Sequence, residues 1–164
     1  MRSSHPTLSR LRWSPSNRMS RSDIALSLSV PDDVPEVACT QSDLEQVFLN
    51  LLTNAREATP IGGRITVTVR ALDRVVEISI TDTGCGIPPE NLPRVLEPFF
   101  TTKAQGNGLG LSICRSVLWE VDGTLTIHSE PGNGTQVQVL VPQAAHQTHV
   151  QRSCQPARSD WKRR

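Results

Sequence analysis

Residues 64–88 read RITVTVRALDRVVEISITDTGCGIP. Ile65, Val67, Val69 and Ala71 alternate with Thr66, Thr68 and Arg70, the period of a strand with one face turned inward. A short turn at Leu72-Asp73-Arg74 leads to a second run with Val76, Ile78 and Ile80 on one face, and the pair is most simply a hairpin. Asp82 continues that even-numbered face, so the pattern aims a carboxylate at the apolar side at a strand's end. A carboxylate there must find donors, or its burial is expensive. Gly84 and Gly86 follow, two apart, ahead of Pro88.

Upstream, Gln41 or Ser42 opens a helix predicted to run to about Thr59, with Ser42 and Glu45 spaced as a capping box. Leu44, Val47, Phe48, Leu51, Ala55 and Ala58 form its apolar stripe, and Pro60-Ile61-Gly62-Gly63 stops it. Before it, Ile24, Leu26, Leu28 and Val30 alternate with small residues, which predicts a half-buried strand ended by Pro31. Downstream of the hairpin, a loop-rich stretch from Gly84 to Gly110 precedes a second helix with the stripe Leu111, Cys114, Val117, Leu118 and Val121. Two more strands, Thr124–Ser129 and Gln136–Val141, are joined by residues 130–134. Hairpin pairing with both helices on one face predicts an α/β (α+β) two-layer sandwich with a mixed, mostly antiparallel sheet.

The formal charge of +1 hides an asymmetry: +5 over residues 1–22, −8 over 23–142 and +4 over 143–164. An acidic body argues against a nucleic-acid-binding core, which would gather positive charge on one face. The division predicts a disordered basic leader (1–22), one domain (23–142) and a disordered basic tail (143–164). No run of 18 apolar residues exists and the start lacks the apolar stretch of a secretory signal, though its Arg- and Ser-rich composition is also that of organelle transit peptides. Cys39, Cys85, Cys114 and Cys154 have neither metal-ligand spacing nor a disulfide framework, so a reduced, cytoplasmic protein is expected.

Taken singly, the polar signals have ordinary readings. Asp82 could be a turn aspartate bonding its own backbone, or an acceptor for the exocyclic amino group of a purine. Gly84 and Gly86 could mark a plain turn, or let backbone approach a flat ligand. Gly106-Asn107-Gly108-Leu109-Gly110-Leu111-Ser112 runs into the second helix and is either a flexible entry or a phosphate site at a helix N-terminus. It is neither a GxxxxGK[ST] loop nor a GxGxxG after a strand. Asn50 and Asn54, four apart, stack on the edge of the first helix's apolar stripe; they are either surface amides or hard oxygen ligands suited to Mg²⁺.

In this order, over residues 24–142, these features resemble the Bergerat-fold ATPases, and the histidine-kinase branch in particular. The N box is residues 44–59 (LEQVFLNLLTNAREAT), and the first glycine box is 82–88 (DTGCGIP). The phenylalanine box is 97–103 (EPFFTTK) and the second glycine box is 106–112 (GNGLGLS). The resemblance implies ATP and Mg²⁺ as ligands. Asn54 would hold the metal, with Asn50 supporting phosphate or metal from one turn earlier, and Asp82 would accept from the adenine amino group. Gly84, Gly86 and Ile87 would pass the base, and the lid between Phe100 and Gly108, including Thr101, Thr102 and Gly106, would cover the nucleotide. Lys103 would reach the phosphates, Gly108, Leu109, Gly110 and Leu111 would present backbone N–H groups to them, and Thr135 would place a hydroxyl near adenine. Asn50 and Lys103 are the residues implied to be catalytic.

The implied reaction is γ-phosphoryl transfer to a histidine, by positioning and charge neutralisation. Gyrase-type relatives have a glutamate where Asn50 stands; asparagine takes no proton at neutral pH, which favours a phosphotransferase over a hydrolase. Three positions depart from the pattern: Leu96 replaces a common phenylalanine, Glu57 stands where a phosphate-contacting lysine is frequent, and Trp119-Glu120-Val121-Asp122-Gly123 lacks a glycine pair. The acceptor box is not found: His5 is followed by proline, His128 is on a strand, and His146 and His149 are in the tail. The expected partners are therefore a separate phosphoacceptor histidine domain and a response regulator. Alternative readings are a non-catalytic nucleotide-sensing module, a truncated kinase fragment, or a serine kinase of the anti-sigma-factor type.

Overall fold

The computed structural model describes residues 24–103 and 106–146. The leader, Cys154, His149 and the tail beyond residue 146 lie outside the described residues. The chain runs β1 (Ala25–Ser29), α1 (Gln41–Ala58), β2 (Arg64–Ala71), β3 (Val75–Asp82), α2 (Gly110–Glu120), β4 (Thr124–Glu130) and β5 (Gly134–Pro142). One sheet is formed in the order β1-β2-β3-β5-β4, parallel only between β1 and β2. This is the mixed, mostly antiparallel two-layer sandwich expected.

Register explains the single core. Val76 pairs with Val141 and Ala71, Ile78 with Val139 and Val69, and Ile80 with Val137 and Val67, so apolar residues from three strands share one face. Leu44, Val47, Leu51 and Ala55 of α1 and Cys114 and Leu118 of α2 bury themselves among them. Each leucine, isoleucine or valine among them, fully buried, contributes about 1.5–3 kcal/mol. The other face is polar, and hydrogen bonds from Gln138 to Glu77 (2.7 Å) and Gln136 to Ser79 (3.1 Å) cross its strands. Burial pushes the Cys39 and Cys114 thiols up to about 11, so both are core residues rather than nucleophiles. No helix among the described residues is long and apolar enough to cross a membrane.

Several local expectations are corrected. Helix α1 is capped by Thr40, whose Oγ1 accepts from the Asp43 N–H at 3.2 Å, and not by Ser42, which lies inside the first turn. Strand β1 is an edge strand: Ile24 just before it packs on the core, but its Leu26 and Leu28, and Val30 just after it, stay exposed (43–46%) instead of half-buried. The link from β1 to α1 supplies core residues that no periodicity marked: Val34, Val37, Ala38 and Cys39. Residues 143–146, read as tail, are tied into the fold. Gln143 N–H donates to Arg74 O, Ala144 N–H to Glu36 O, and a 3-10 turn follows at Ala144–His146.

The unusual end of α2 has a local explanation. Gly123 N–H returns to Leu118 O at 2.8 Å and Asp122 N–H to Trp119 O at 3.3 Å, the paired bonds of a Schellman stop. Asp122 takes the left-handed conformation (φ +58°) that a glycine would usually take there.

Candidate functional site

The antiparallel register collects the candidate residues at one end of the sheet. Asp82 closes β3, and strand β5, which begins at Gly134 and so earlier than the alternation showed, sets Thr135 directly opposite it. The Asp82 side chain is 5% exposed, and its Oδ1 accepts from the N–H groups of Gly84 (2.8 Å) and Thr135 (3.2 Å). Burial raises its pKa above the ordinary carboxylate value, and these two bonds partly offset the rise. The inward orientation read from the even-numbered face is therefore realised, with the donors that burial demands.

The glycine loop after Asp82 is clamped on both sides. Cys85 N–H donates to Ala58 O at the end of α1, and Gly132 N–H donates to Cys85 O from the β4–β5 turn. A side chain at Gly84 would meet Ala58 O at 2.5 Å; one at Gly86, whose φ is +71°, would collide with the Glu130 carbonyl. In this structure the protein's own backbone is what demands both glycines. Ile87 N–H donates to Ser129 Oγ at 2.8 Å, and that hydroxyl also lies 2.9 Å from Thr135 Oγ1 and donates to Gly134 O. Sequence reasoning passed over Ser129. The signal was available: it continues the inward face of Leu125 and Ile127, as Asp82 continues that of Ile80.

On α1, Asn50 Nδ2 donates to Gly110 O at 3.2 Å, linking mid-α1 to the start of α2, while its Oδ1 accepts from Gln46. Helix α2 has no side-chain cap at Leu109, whose own N–H donates to Asn107 Oδ1 at 3.2 Å; among the described residues no side chain takes the N–H groups of Gly110 and Leu111. Phe99 N–H donates to Gly108 O at 3.0 Å and closes the base of the intervening loop. Gly108 (φ +66°) lies so near Phe99 that a side chain there would meet its carbonyl carbon at 2.5 Å. Thr101 Oγ1 accepts from Lys103 N–H, and Gly106 N–H donates to Lys103 O. Thr102 is exposed on this loop, and the Arg94 guanidinium stacks 4.4 Å from the Phe100 ring.

Lys103 leaves the loop and reaches α1. Its ammonium donates to Asn54 Oδ1 at 3.3 Å and pairs with Glu57 Oε2 at 2.5 Å. The two positions are three apart and share a helix face. Glu57, noted as a departure, thus receives the cation that its position would otherwise carry. An amide oxygen already facing an ammonium is a donor of the kind a hard divalent cation takes, so Asn54 fits Mg²⁺.

Across 122 residues the chain is 42% identical to "Sporulation kinase E" of Bacillus subtilis (strain 168), covering 74% of this chain and 16% of that kinase. Among solved structures it resembles a mycobacterial sensor histidine kinase, MprB (33% identity, TM-score 0.67, 74% of this chain and 83% of that one). It also resembles full-length ShkA in complex with AMPPNP (28% identity, TM-score 0.64, 74% of this chain and 26% of that one). The chain spans less than a third of the length of the curated kinases it matches. Residues 39–145, which hold both helices and every candidate residue, match the family described as "Histidine kinase-, DNA gyrase B-, and HSP90-like ATPase", and the chain belongs to that family.

Proposed function

We propose that this chain binds Mg-ATP and, as the catalytic domain of a sensor histidine kinase, passes the γ-phosphoryl group to a histidine on a separate dimerisation domain, which then supplies a response regulator. The observation that carries the reading is Asp82: a buried carboxylate whose two backbone donors both sit on Oδ1, leaving Oδ2 as acceptor for an adenine amino group. Thr135 and the loop of Gly84, Gly86 and Ile87 wall the base. Asn54, with Asn50 one turn earlier, would hold Mg²⁺, which when bound neutralises phosphate charge. The N–H groups of Gly110 and Leu111 would meet the phosphates, joined by that of Leu109 on leaving Asn107 and by the Lys103 ammonium on leaving Glu57, with Gly106 and Gly108 shaping the lid. Phe100, Thr101 and Thr102 complete that cover.

Asn50 cannot deprotonate water, so the residues position phosphate for an incoming nucleophile instead of hydrolysing it. A cytoplasmic setting, where ATP is available, suits this chemistry. Calorimetry with AMPPNP and Mg²⁺ tests the site. Asp82→Asn should weaken binding by about tenfold or more, because a hydrogen bond to a charged group is worth ~1.5–3 kcal/mol. Equal affinity in the two proteins would remove Asp82 from the adenine site.

A further inference from the structure

We propose that Glu57 is a positioning residue for Lys103: it holds the lysine against α1 while the cleft is empty and surrenders it to the phosphates when nucleotide enters. The proposal rests on the ATP reading of the cleft. Three observations carry it. First, among the described residues 101–103 and 106–107, the only hydrogen bonds that reach α1 are those of Lys103, to Asn54 and Glu57. The loop's base is closed between Phe99 and Gly108, and Lys103 ties the segment after Phe100 to α1. Second, the ammonium sits on the same Asn54 oxygen assigned to the metal, so lysine and Mg²⁺ cannot occupy it together.

Third, the ion pair is open to solvent: the Lys103 and Glu57 side chains are 40% and 46% exposed. A pair that wet is weak and easily exchanged. A triphosphate brings more charge than one carboxylate and outcompetes it at the same distance. Nucleotide binding and metal binding thereby become one exchange of partners around a single ammonium. Glu57 touches neither metal nor phosphate in this scheme. It acts through Lys103.

Amide hydrogen exchange over residues 99–108, measured on the whole chain, separates this from a static bridge. Without nucleotide, Glu57→Gln and Lys103→Gln should each speed exchange by about two- to fivefold. The double variant should add nothing further, and the charge swap Glu57→Lys/Lys103→Glu should restore protection. With saturating AMPPNP and Mg²⁺, Glu57→Gln should return to the wild-type rate while Lys103→Gln stays fast. Wild-type exchange in nucleotide-free Glu57→Gln overturns the proposal. So does a Glu57→Gln that stays as fast as Lys103→Gln when nucleotide is bound, since that is the signature of a permanent bridge. Should AMPPNP leave wild-type protection unchanged across Asp82–Ile87 as well, the ATP reading fails and the exchange of anions with it. The nucleotide-free comparison would still decide whether Glu57 holds Lys103.

Discussion

Burial raises the pKa of Asp82, and the N–H groups of Gly84 and Thr135 offset the rise only in part. A raised value means the folded state holds the proton more tightly than the unfolded chain. The contribution to stability is then fully present below the ordinary carboxylate pKa and is lost as pH rises through the folded one. At pH 7 the ionised carboxylate costs stability. Asparagine keeps an oxygen for the two N–H donors and removes the charge, so Asp82→Asn should melt higher than wild type at pH 7. About 1 kcal/mol corresponds to ~4 °C in a domain of this size, and the gap should close as the pH falls through the carboxylate range. A lower melting point at pH 7 would mean that the charge stabilises the fold, leaving its retention without need of a ligand. Asp82 was legible because parity along one strand tells which face a residue takes. The pairing of Glu57 with Lys103 was not, because it spans 46 positions and depends on where a glycine-bounded loop comes to lie.

Element boundaries test what local pattern can and cannot say. Residues 40–43 offer several side chains able to cap a helix, and the sequence pattern alone favoured Ser42 with Glu45. The winner is Thr40 because Ala38 N–H is held by Pro142 O, which fixes how the chain enters and makes residue 40 the first to turn. Thr40→Ala should therefore cost about 1 kcal/mol, while Ser42→Ala should be nearly neutral in urea unfolding. The reverse ranking would restore the capping box. The β4–β5 turn offers a second comparison. Gly132 and Gly134 both have positive φ (+80° and +85°), but a side chain at Gly132 meets nothing, whereas one at Gly134 collides with the Asp82 carbonyl. Gly132→Ala should lose about 1 kcal/mol from backbone strain alone. Gly134→Ala should lose clearly more, about 3 kcal/mol, as strain and overpacking add. Equal losses would show that the strands part to accommodate the methyl group. Both glycines stood in the sequence as turn signals; only the register of β3 on β5 distinguishes them.

At the scale of the molecule, the hairpins, both helices and the one-sided core followed from periodicity, since each is a local pattern repeated. What periodicity could not supply is neighbours. It placed β1 half inside, but β1 ends as an edge strand, with Leu26 and Leu28 on the helix-facing side yet still exposed, and it left the core valines before α1 unassigned. The same limit holds for function, because local pattern marks the residues of the proposed phosphoryl-donor site and marks no acceptor histidine among the described residues. His128 lies on the polar face of the sheet, while Asp82, Asn54 and Lys103 gather at the helix side, so His128 is badly placed to receive phosphate. Incubated alone with labelled ATP, the chain should gain no phosphohistidine. Mixed with separate acceptor domains of kinases such as those it matches, it should transfer acid-labile label to the acceptor, and Lys103→Gln should slow that transfer. Label on His128 itself would contradict the geometry. ATP binding with no transfer to any of several acceptors would leave a nucleotide-sensing module, in which the lid's change of partner, rather than phosphoryl transfer, is the output.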